Sequence, residues 1–522
     1  MPSFDAILIG GGPNGLAAAH ALKGQGRRVL VLDQGAVPGG GAAPVGFAPG
    51  FAAPAMAHLS HNLDPRVARG MELQRHGLAW ANANLATTAL SQNGDHLRMN
   101  GPVANELVGA LAPADRAAWA TLRKRLLRFA RVLAPFRDMA PPRLAKGTGN
   151  PVAKLAAIGL KARMMGADEF RELLRVFLTN THDVLNDELA TPLLRGTLAF
   201  DAGLGVFAGP RSPNSLLMWL DRLSGQTEGV QGALGLPKGG MPAIARAMAA
   251  SAMARGVEVR SGVTVGRVLV EGDRAVGVTL TSGEEMRAPL ILSAIAPKTT
   301  LLGLVGPRHL DAGLVTRLRH LKSRGTAAKL HLALRAAPDF RGADLRTRLI
   351  LAPTAEEVER AFNPAKYGEV PDAPVMEILL PSAIEPGHAP EGQHMLSAIV
   401  QHAPHAPKDP QAARSALLQA CLNRLEVFAP GIGALVAHAE LLMPYDVEVR
   451  TGAPGGNWHL GELSVEQMLF LRPLPGMAQY RTPVSGLWLG SAGCHPGGGI
   501  SGAAGWNAAA AIERAEKERA GA

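Results

Sequence analysis

The chain has 522 residues, of which 47% are apolar and only 4% aromatic, and 53 Lys and Arg against 43 Asp and Glu leave a net charge of +10. Such a length exceeds one simple core and predicts two or three domains filled by Ala, Leu and Val. Cys421 and Cys494 stand far apart and outside any Cys-x-x-Cys, which excludes a dithiol redox centre and a disulfide framework. No zinc-finger spacing, RNP-like aromatic strand or lysine-rich tail accompanies the positive charge, so no nucleic-acid partner is expected. The histidines offer no His-x-x-x-His pair, and no metal site is expected. No stretch approaches the roughly 18 apolar residues of a membrane helix. The expected location is the cytoplasm, free or associated with a membrane surface.

Phe4 to Ile9 reads as a short apolar strand, and Gly10-x-Gly12-x-x-Gly15 follows at once. Leu16 to Leu22 is an alanine-rich helix that stops near Gly24 and Gly26, and a second strand, Arg28 to Leu32, delivers Asp33 at its end. This is a dinucleotide-binding pattern with a physical reason at each position. Gly10 makes the tight turn, Gly12 lets backbone meet a pyrophosphate alongside Pro13 and Asn14, and Gly15 lets helix pack on strand. Asp33 is expected to accept hydrogen bonds from ribose hydroxyls, and its charge argues against a 2′-phosphate. Gly39, Gly40 and Gly41 form a further flexible turn expected to approach the cofactor.

From about 115 to 225 the pattern turns helical. Trp119, Leu122, Leu126, Phe129 and Leu133 recur at three- and four-residue steps among Arg123, Lys124, Arg125, Arg128 and Arg131. Such a basic amphipathic helix either packs its stripe on its own domain or lies on an anionic bilayer. Asp201 to Gly209 repeats the glycine pattern without strand or terminal acid and reads as a loop, leaving no second dinucleotide site. Pro237-Lys238-Gly239-Gly240-Met241 precedes a helix through Ala254. The runs Val257–Val259, Thr264–Val270 and Ala275–Leu280 then read as a small antiparallel meander, with Val265 beside the cofactor. Leu290 to Ala294 is one more strand, and residues 320–475 mix strands and helices around the polar turn Gly455-Gly456-Asn457-Trp458-His459.

A second glycine-rich segment, Gly490 to Gly502, lies near the other end of the chain: Gly-Ser-Ala-Gly-Cys-His-Pro-Gly-Gly-Gly-Ile-Ser-Gly. Two such segments so far apart imply one cofactor held by a domain that the chain leaves and re-enters. The predicted class is α/β: a discontinuous Rossmann-type FAD-binding domain (1–100, 231–305 and 476–522) with a mixed α+β substrate domain (306–475) and a helical insertion (101–230).

With Gly486 to Gly505, Pro237 to Met241, Gly11 to Leu16, Pro49-Gly50-Phe51 and Pro454 to Ser464 in hand, the chain resembles the phytoene desaturase superfamily of FAD-dependent oxidoreductases. Within it, the chain is most similar to the branch of pyridine nucleotide-disulfide oxidoreductase domain-containing protein 2 and its bacterial relatives. It departs from carotenoid desaturases in having Gly41-Ala42-Ala43 where an Arg commonly follows the diglycine, and Ser491 where many flavoproteins carry Asp. The resemblance implies FAD as cofactor, contacted also by Gly490, Ser491, Gly499 and Ile500. It implies a small apolar or amphipathic substrate and, on an anionic membrane, peripheral association. His495 is expected either nearest the flavin ring or bracing its loop through a backbone hydrogen bond, with His459 and Asn457 on the substrate side. The implied activity is dehydrogenation or desaturation by hydride transfer to flavin. A redox-neutral flavin-dependent isomerase and a non-catalytic, flavin-stabilised interaction protein are the alternatives.

Overall fold

The computed structural model describes residues 4–54, 56–141 and 166–520, with a few positions between 156 and 164. Its first sheet gathers five parallel strands in the order Glu258–Arg260, Val29–Leu32, Ala6–Ile9, Leu290–Ser293, Leu487–Leu489. The three inner strands are apolar almost throughout and buried along their whole length, because helices cover both faces of a parallel sheet. The helix Pro13–Gly24 can sit close to the first strand only because residue 15 lacks a side chain: a Cβ there would lie 1.9 Å from the Gly10 carbonyl oxygen. The long C-terminal helix Ala503–Ala520 packs against the same helix, and a Cβ at Gly505 would stand 1.8 Å from the Asn14 carbonyl oxygen.

The segment near Val257 departs from expectation. Glu258–Arg260 joins the parallel sheet beside Val29–Leu32, and the meander consists of Val265–Glu271, Arg274–Leu280 and Glu285–Arg287. Three residues alternate too briefly to reveal which sheet they join, and the parallel partner lies more than 200 residues upstream.

The second sheet has eight strands in the order Val436–Leu442, Ala327–Leu334, His394–Gln401, Val375–Leu379, Arg348–Leu351, Thr87–Ala89, Leu97–Asn100, Glu106–Gly109. Every pairing is antiparallel except that of Arg348–Leu351 with Thr87–Ala89. Residues 87–100, expected to close the first FAD-binding stretch, therefore belong to this sheet. Leu330, Leu349 and Ile378 on one face pack under the helix Pro410–Phe428 through Leu417, Cys421 and Leu425.

The basic helix forms over Asp115–Arg137. Its stripe of Trp119, Leu122, Leu126, Phe129 and Leu133 is buried in a core shared with Leu194, Phe200 and Trp219. Three of its cations are engaged as well: Arg123 donates to the Val103 and Pro102 carbonyls, Arg125 pairs with Glu188, and Arg128 pairs with Glu169. The stripe packs on its own domain and offers no apolar face to a bilayer. Among the described residues no helix is long and apolar enough to cross a membrane.

Gly505→Ala tests the helix contact. The added methyl has no room beside Asn14, so a loss of about 1–3 kcal/mol is expected, the usual range for overpacking. An unchanged urea midpoint would mean that the C-terminal helix is free to move away.

Candidate active site

A cavity of about 580 Å³ runs between the parallel sheet and the eight-stranded sheet. One part is glycine and backbone. Gly10, Gly12, Pro13, Asn14, Asp33, Gly40, Gly41 and Val265 line it, as do Gly499 and Ile500 from the C-terminal segment. Gly12 and Gly40 face each other so closely that a Cβ at Gly40 would stand 3.3 Å from the Gly12 Cα. Side chains at either position would fill the cradle that a pyrophosphate requires. Asp33 is buried, and its two carboxylate oxygens accept from the N–H groups of Gly11 (2.5 Å) and Gly35 (2.7 Å). Burial, only partly offset by those two bonds, raises its pKa above the ordinary carboxylate value.

Four of the expected contacts stand behind this surface. Gly15 and Gly39 are packing positions, the latter against Ala245 and Ala43. Gly490 packs against Leu292 and Ala508, and Ser491 is fully buried with its hydroxyl accepting from the Gly493 N–H. None of the four lines the cavity.

His459 does line it. The Trp458 indole N–H donates to its Nε2 (2.9 Å), so the neutral ring must carry its proton on Nδ1. That Nδ1 has no partner among the described residues and abuts Gly498, where a Cβ would fall 1.7 Å away. Burial, helped by Arg472, pushes the ring's pKa down to about 3. The site thus holds a fixed, uncharged imidazole whose Nδ1 is packed against Gly498. Asn457 is the residue that sets its place: Oδ1 accepts from the His459 backbone N–H (2.9 Å) and Nδ2 donates to the Arg324 carbonyl (2.9 Å). With both ends of its amide occupied and no surface on the cavity, Asn457 positions rather than touches.

Of the two places expected for His495, the structure has the bracing one. It does not line the cavity; its Nε2 lies 2.5 Å from the Phe136 carbonyl, at the end of the basic helix. Its own carbonyl accepts from the Tyr480 hydroxyl (2.9 Å). The loop turns its imidazole toward the helical layer, while Gly498, Gly499 and Ile500 carry the backbone along the cavity. Behind it, Arg472 is buried and donates to the carbonyls of His459, Gly461, Glu462, Gln467 and Ala492, which fastens the two loops together.

The rest of the wall, and the charges directly behind it, come from residues the sequence did not single out. Arg348 is held between Glu377 (Nε to Oε2, 2.5 Å) and both carboxylate oxygens of Asp201. Asp201 lies on the helix Pro192–Gly203, so the segment expected to be a loop begins as helix and turns only after Gly203. Burial alone would raise the Glu377 carboxyl, but Arg348 and His58 outweigh it and hold its pKa well below the usual range. Lys329 shares a row of the sheet with Ile399 and Glu377, both cavity residues. Its ammonium has no hydrogen-bond partner among the described residues, and burial lowers its pKa to about 7. A signal was present: a Lys within Ala-Ala-Lys-Leu-His-Leu-Ala-Leu and a Glu within Val-Met-Glu-Ile-Leu interrupt otherwise apolar strands. Met56, Leu204, Val206, Met218 and Leu463 supply the apolar remainder.

Residues 14–513 match the model of the family described as flavin containing amine oxidoreductase. The chain belongs to that family. It is 31% identical to pyridine nucleotide-disulfide oxidoreductase domain-containing protein 2 of Rattus norvegicus, covering 98% of this chain and 94% of that one. It is 25% identical to hydroxyneurosporene desaturase of Cereibacter sphaeroides, covering 97% of each chain. An oxidoreductase structure from Methanosarcina mazei shares the fold with a TM-score of 0.61 at 17% identity, covering 98% of this chain and 99% of that one. A putrescine oxidase bound to putrescine does so with 0.59 at 16%, with the same coverage. The protein is an FAD-dependent oxidoreductase, and the Gly12–Gly40 cradle fits that cofactor. Its two cysteines are free and buried in separate cores, with burial pushing the Cys494 thiol up to about 11.

Two measurements follow from the histidines. His495→Ala is expected to cost about 1–3 kcal/mol of stability, through the lost buried hydrogen bond and the space left behind. Flavin that remains bound should still be reduced at the normal rate; slow reduction of retained flavin would return His495 to the catalytic centre. The second concerns pH. Burial holds His58 and His495 at about 4 and His402 and His459 at about 3, so all four are neutral in the folded protein near neutrality. Below about pH 6.5 the unfolded chain takes up protons that the folded one refuses. Stability should fall from there toward about pH 4, by up to about 1.4 kcal/mol per pH unit for each imidazole. Urea midpoints across that interval test this, and a flat profile would contradict it.

Proposed function

We propose that the enzyme oxidises a small amphipathic molecule, with FAD along the glycine-lined part of the cavity and the substrate against the side-chain wall. The observation carrying this reading is the continuity of one cavity from the Gly10–Asn14 turn to Asp201, Arg222, Glu377 and His459. In this assignment Asp33 takes the ribose end. Gly10, Gly12, Pro13, Asn14, Gly40 and Gly41 take the pyrophosphate, Val265 flanks the adenosine side, and Gly498 to Ile500 run beside the flavin ring. Bound FAD supplies a two-electron acceptor for a substrate C–H bond.

The chain's own residues do the rest. Buried apolar groups from both sheets and the helical layer exclude water. His459 sets a neutral imidazole in the wall, its Nδ1 closed off by Gly498, and so shapes the cavity without adding charge. Trp458 fixes the tautomer and Asn457 fixes the backbone that carries the ring. The wall is not a hydrocarbon surface, since Asp201, Arg222, Glu377, His58 and His61 all reach it. A molecule with both apolar and polar parts fits it better than a polyene.

Purified protein should carry one non-covalent FAD per chain. Asp33→Ala should weaken FAD retention by about 1.5–3 kcal/mol, the range for hydrogen bonds to a charged group, and Gly12→Val should weaken it more. His459→Phe should retain FAD but slow its anaerobic bleaching by substrate about tenfold or more, roughly 1.4 kcal/mol of transition-state stabilisation. Product formation without bleaching or turnover of an acceptor would replace oxidation by redox-neutral isomerisation. Unchanged FAD content in both cofactor-side variants would refute the assignment of that end.

A further inference from the structure

Arg222 and His61 occupy an unusual position in the wall. Both line the main cavity, and both also line a second, smaller chamber of about 50 Å³ behind it, together with Asp201, Thr87 and Trp219. They stand where the two spaces meet. Arg222 sits on the helix Ser215–Leu223, and its attachments are slack: Nη1 lies 3.6 Å from Asp201 Oδ1 and donates to the Asp201 carbonyl at 3.4 Å. Its Nη2 and Nε make no hydrogen bond among the described residues, nor does the ring of His61. Asp201 is unavailable for a closer pairing because Arg348 already engages both of its oxygens.

We infer that Arg222 and His61 form the subsite that recognises an uncharged oxygen, a carbonyl or a hydroxyl, at the polar end of the substrate. This deepens the functional reading above and rests on it. The choice among polar groups follows from charge. Arg222, Arg348, Asp201 and Glu377 are two cations and two anions, which cancel, and Lys329 on the row of Glu377 can go neutral there because burial lowers its pKa to about 7. A carboxylate on the substrate would add an uncompensated charge to a buried, balanced set, and so would an ammonium. The ammonium also lacks an open partner: Asp201 and Glu377 are committed to Arg348, and Asp221 is paired with Arg137 at 3.4 Å. A pure hydrocarbon would leave the Arg222 N–H donors desolvated and unmet, which costs about 1–3 kcal/mol. A neutral oxygen accepts from Arg222 without disturbing the balance, and a hydroxyl can in addition donate to the uncharged His61. Burial, with Arg222 beside it, keeps that imidazole well below its ordinary pKa.

The test uses the FAD-loaded full-length protein and five probes of equal chain length: decan-2-one, decan-1-ol, decanoate, decylamine and decane. Binding is followed by calorimetry and by perturbation of the flavin spectrum. The ketone or the alcohol should bind about tenfold or more tightly than each of the other three, the worth of one satisfied buried donor. Arg222→Met should erase that gap with FAD content unchanged, and Arg222→Lys should restore part of it. If Arg222→Met does not fold, His61→Phe serves, with loss of the alcohol's advantage over decane as the expected result. Tightest binding by decanoate or decylamine, no binding by any probe, or a ketone preference that survives Arg222→Met would overturn the inference while leaving the flavoenzyme intact. A protein that binds no FAD would remove both the inference and the reading beneath it.

Discussion

The two ends of the chain meet through bare backbone, and the cofactor end of the cavity depends on that contact. Gly15 lets the first helix lie against the Gly10 carbonyl, and Gly505 lets the last helix lie against the Asn14 carbonyl. Between these two approaches the turn Gly10–Asn14 is pinned along the cavity, with the Gly10 N–H donating to the Leu32 carbonyl and the Gly11 N–H to Asp33. The C-terminal helix could not pack at this distance with any side chain at position 505. Because it does, the segment Gly497–Gly499 ahead of it is carried past the cradle, and one cavity takes lining from residues nearly 500 apart in sequence.

On the other side the limiting term is the desolvation of charge. Arg348, Glu377, Asp201 and Arg222 are held among apolar strands and helices, where an isolated ion is untenable. They are tolerated because they are mutually paired, and the helix Pro192–Gly203 is anchored to the eight-stranded sheet by the same ion pairs. Buried imidazoles meet the same constraint differently, by staying neutral. A wall built in this way is polar without being charged overall, and that makes it selective about the charge of whatever it binds.

Arg472 shows how positioning is separated from chemistry. One buried guanidinium collects five carbonyls from two loops, and those loops present His459 and Ala492 to the cavity. His495 does comparable work at the rear, tying the C-terminal loop to the end of the helix Asp115–Arg137. Residues that looked equally chemical in sequence are thus divided by which side of the loop they occupy.

The nucleotide-binding half was legible in the residues because its rules are local. A strand, a glycine spacing, a helix and a terminal acid lie within about thirty residues, and each position has one backbone reason to be what it is. The meander from Val265 and the amphipathic period of the helix Asp115–Arg137 were legible for the same reason. What tertiary structure alone decided was everything set by long-range pairing: that Glu258–Arg260 joins the parallel sheet, that Thr87–Asn100 belongs to the second sheet, and that His459 rather than His495 reaches the cavity. It also decided that the lone charges at 201, 222, 348 and 377 form one neutral set. Periodicity reports which face of an element is buried, but not what is buried against it. The partner of a charge or of a strand edge is fixed only when distant segments compete for the same space.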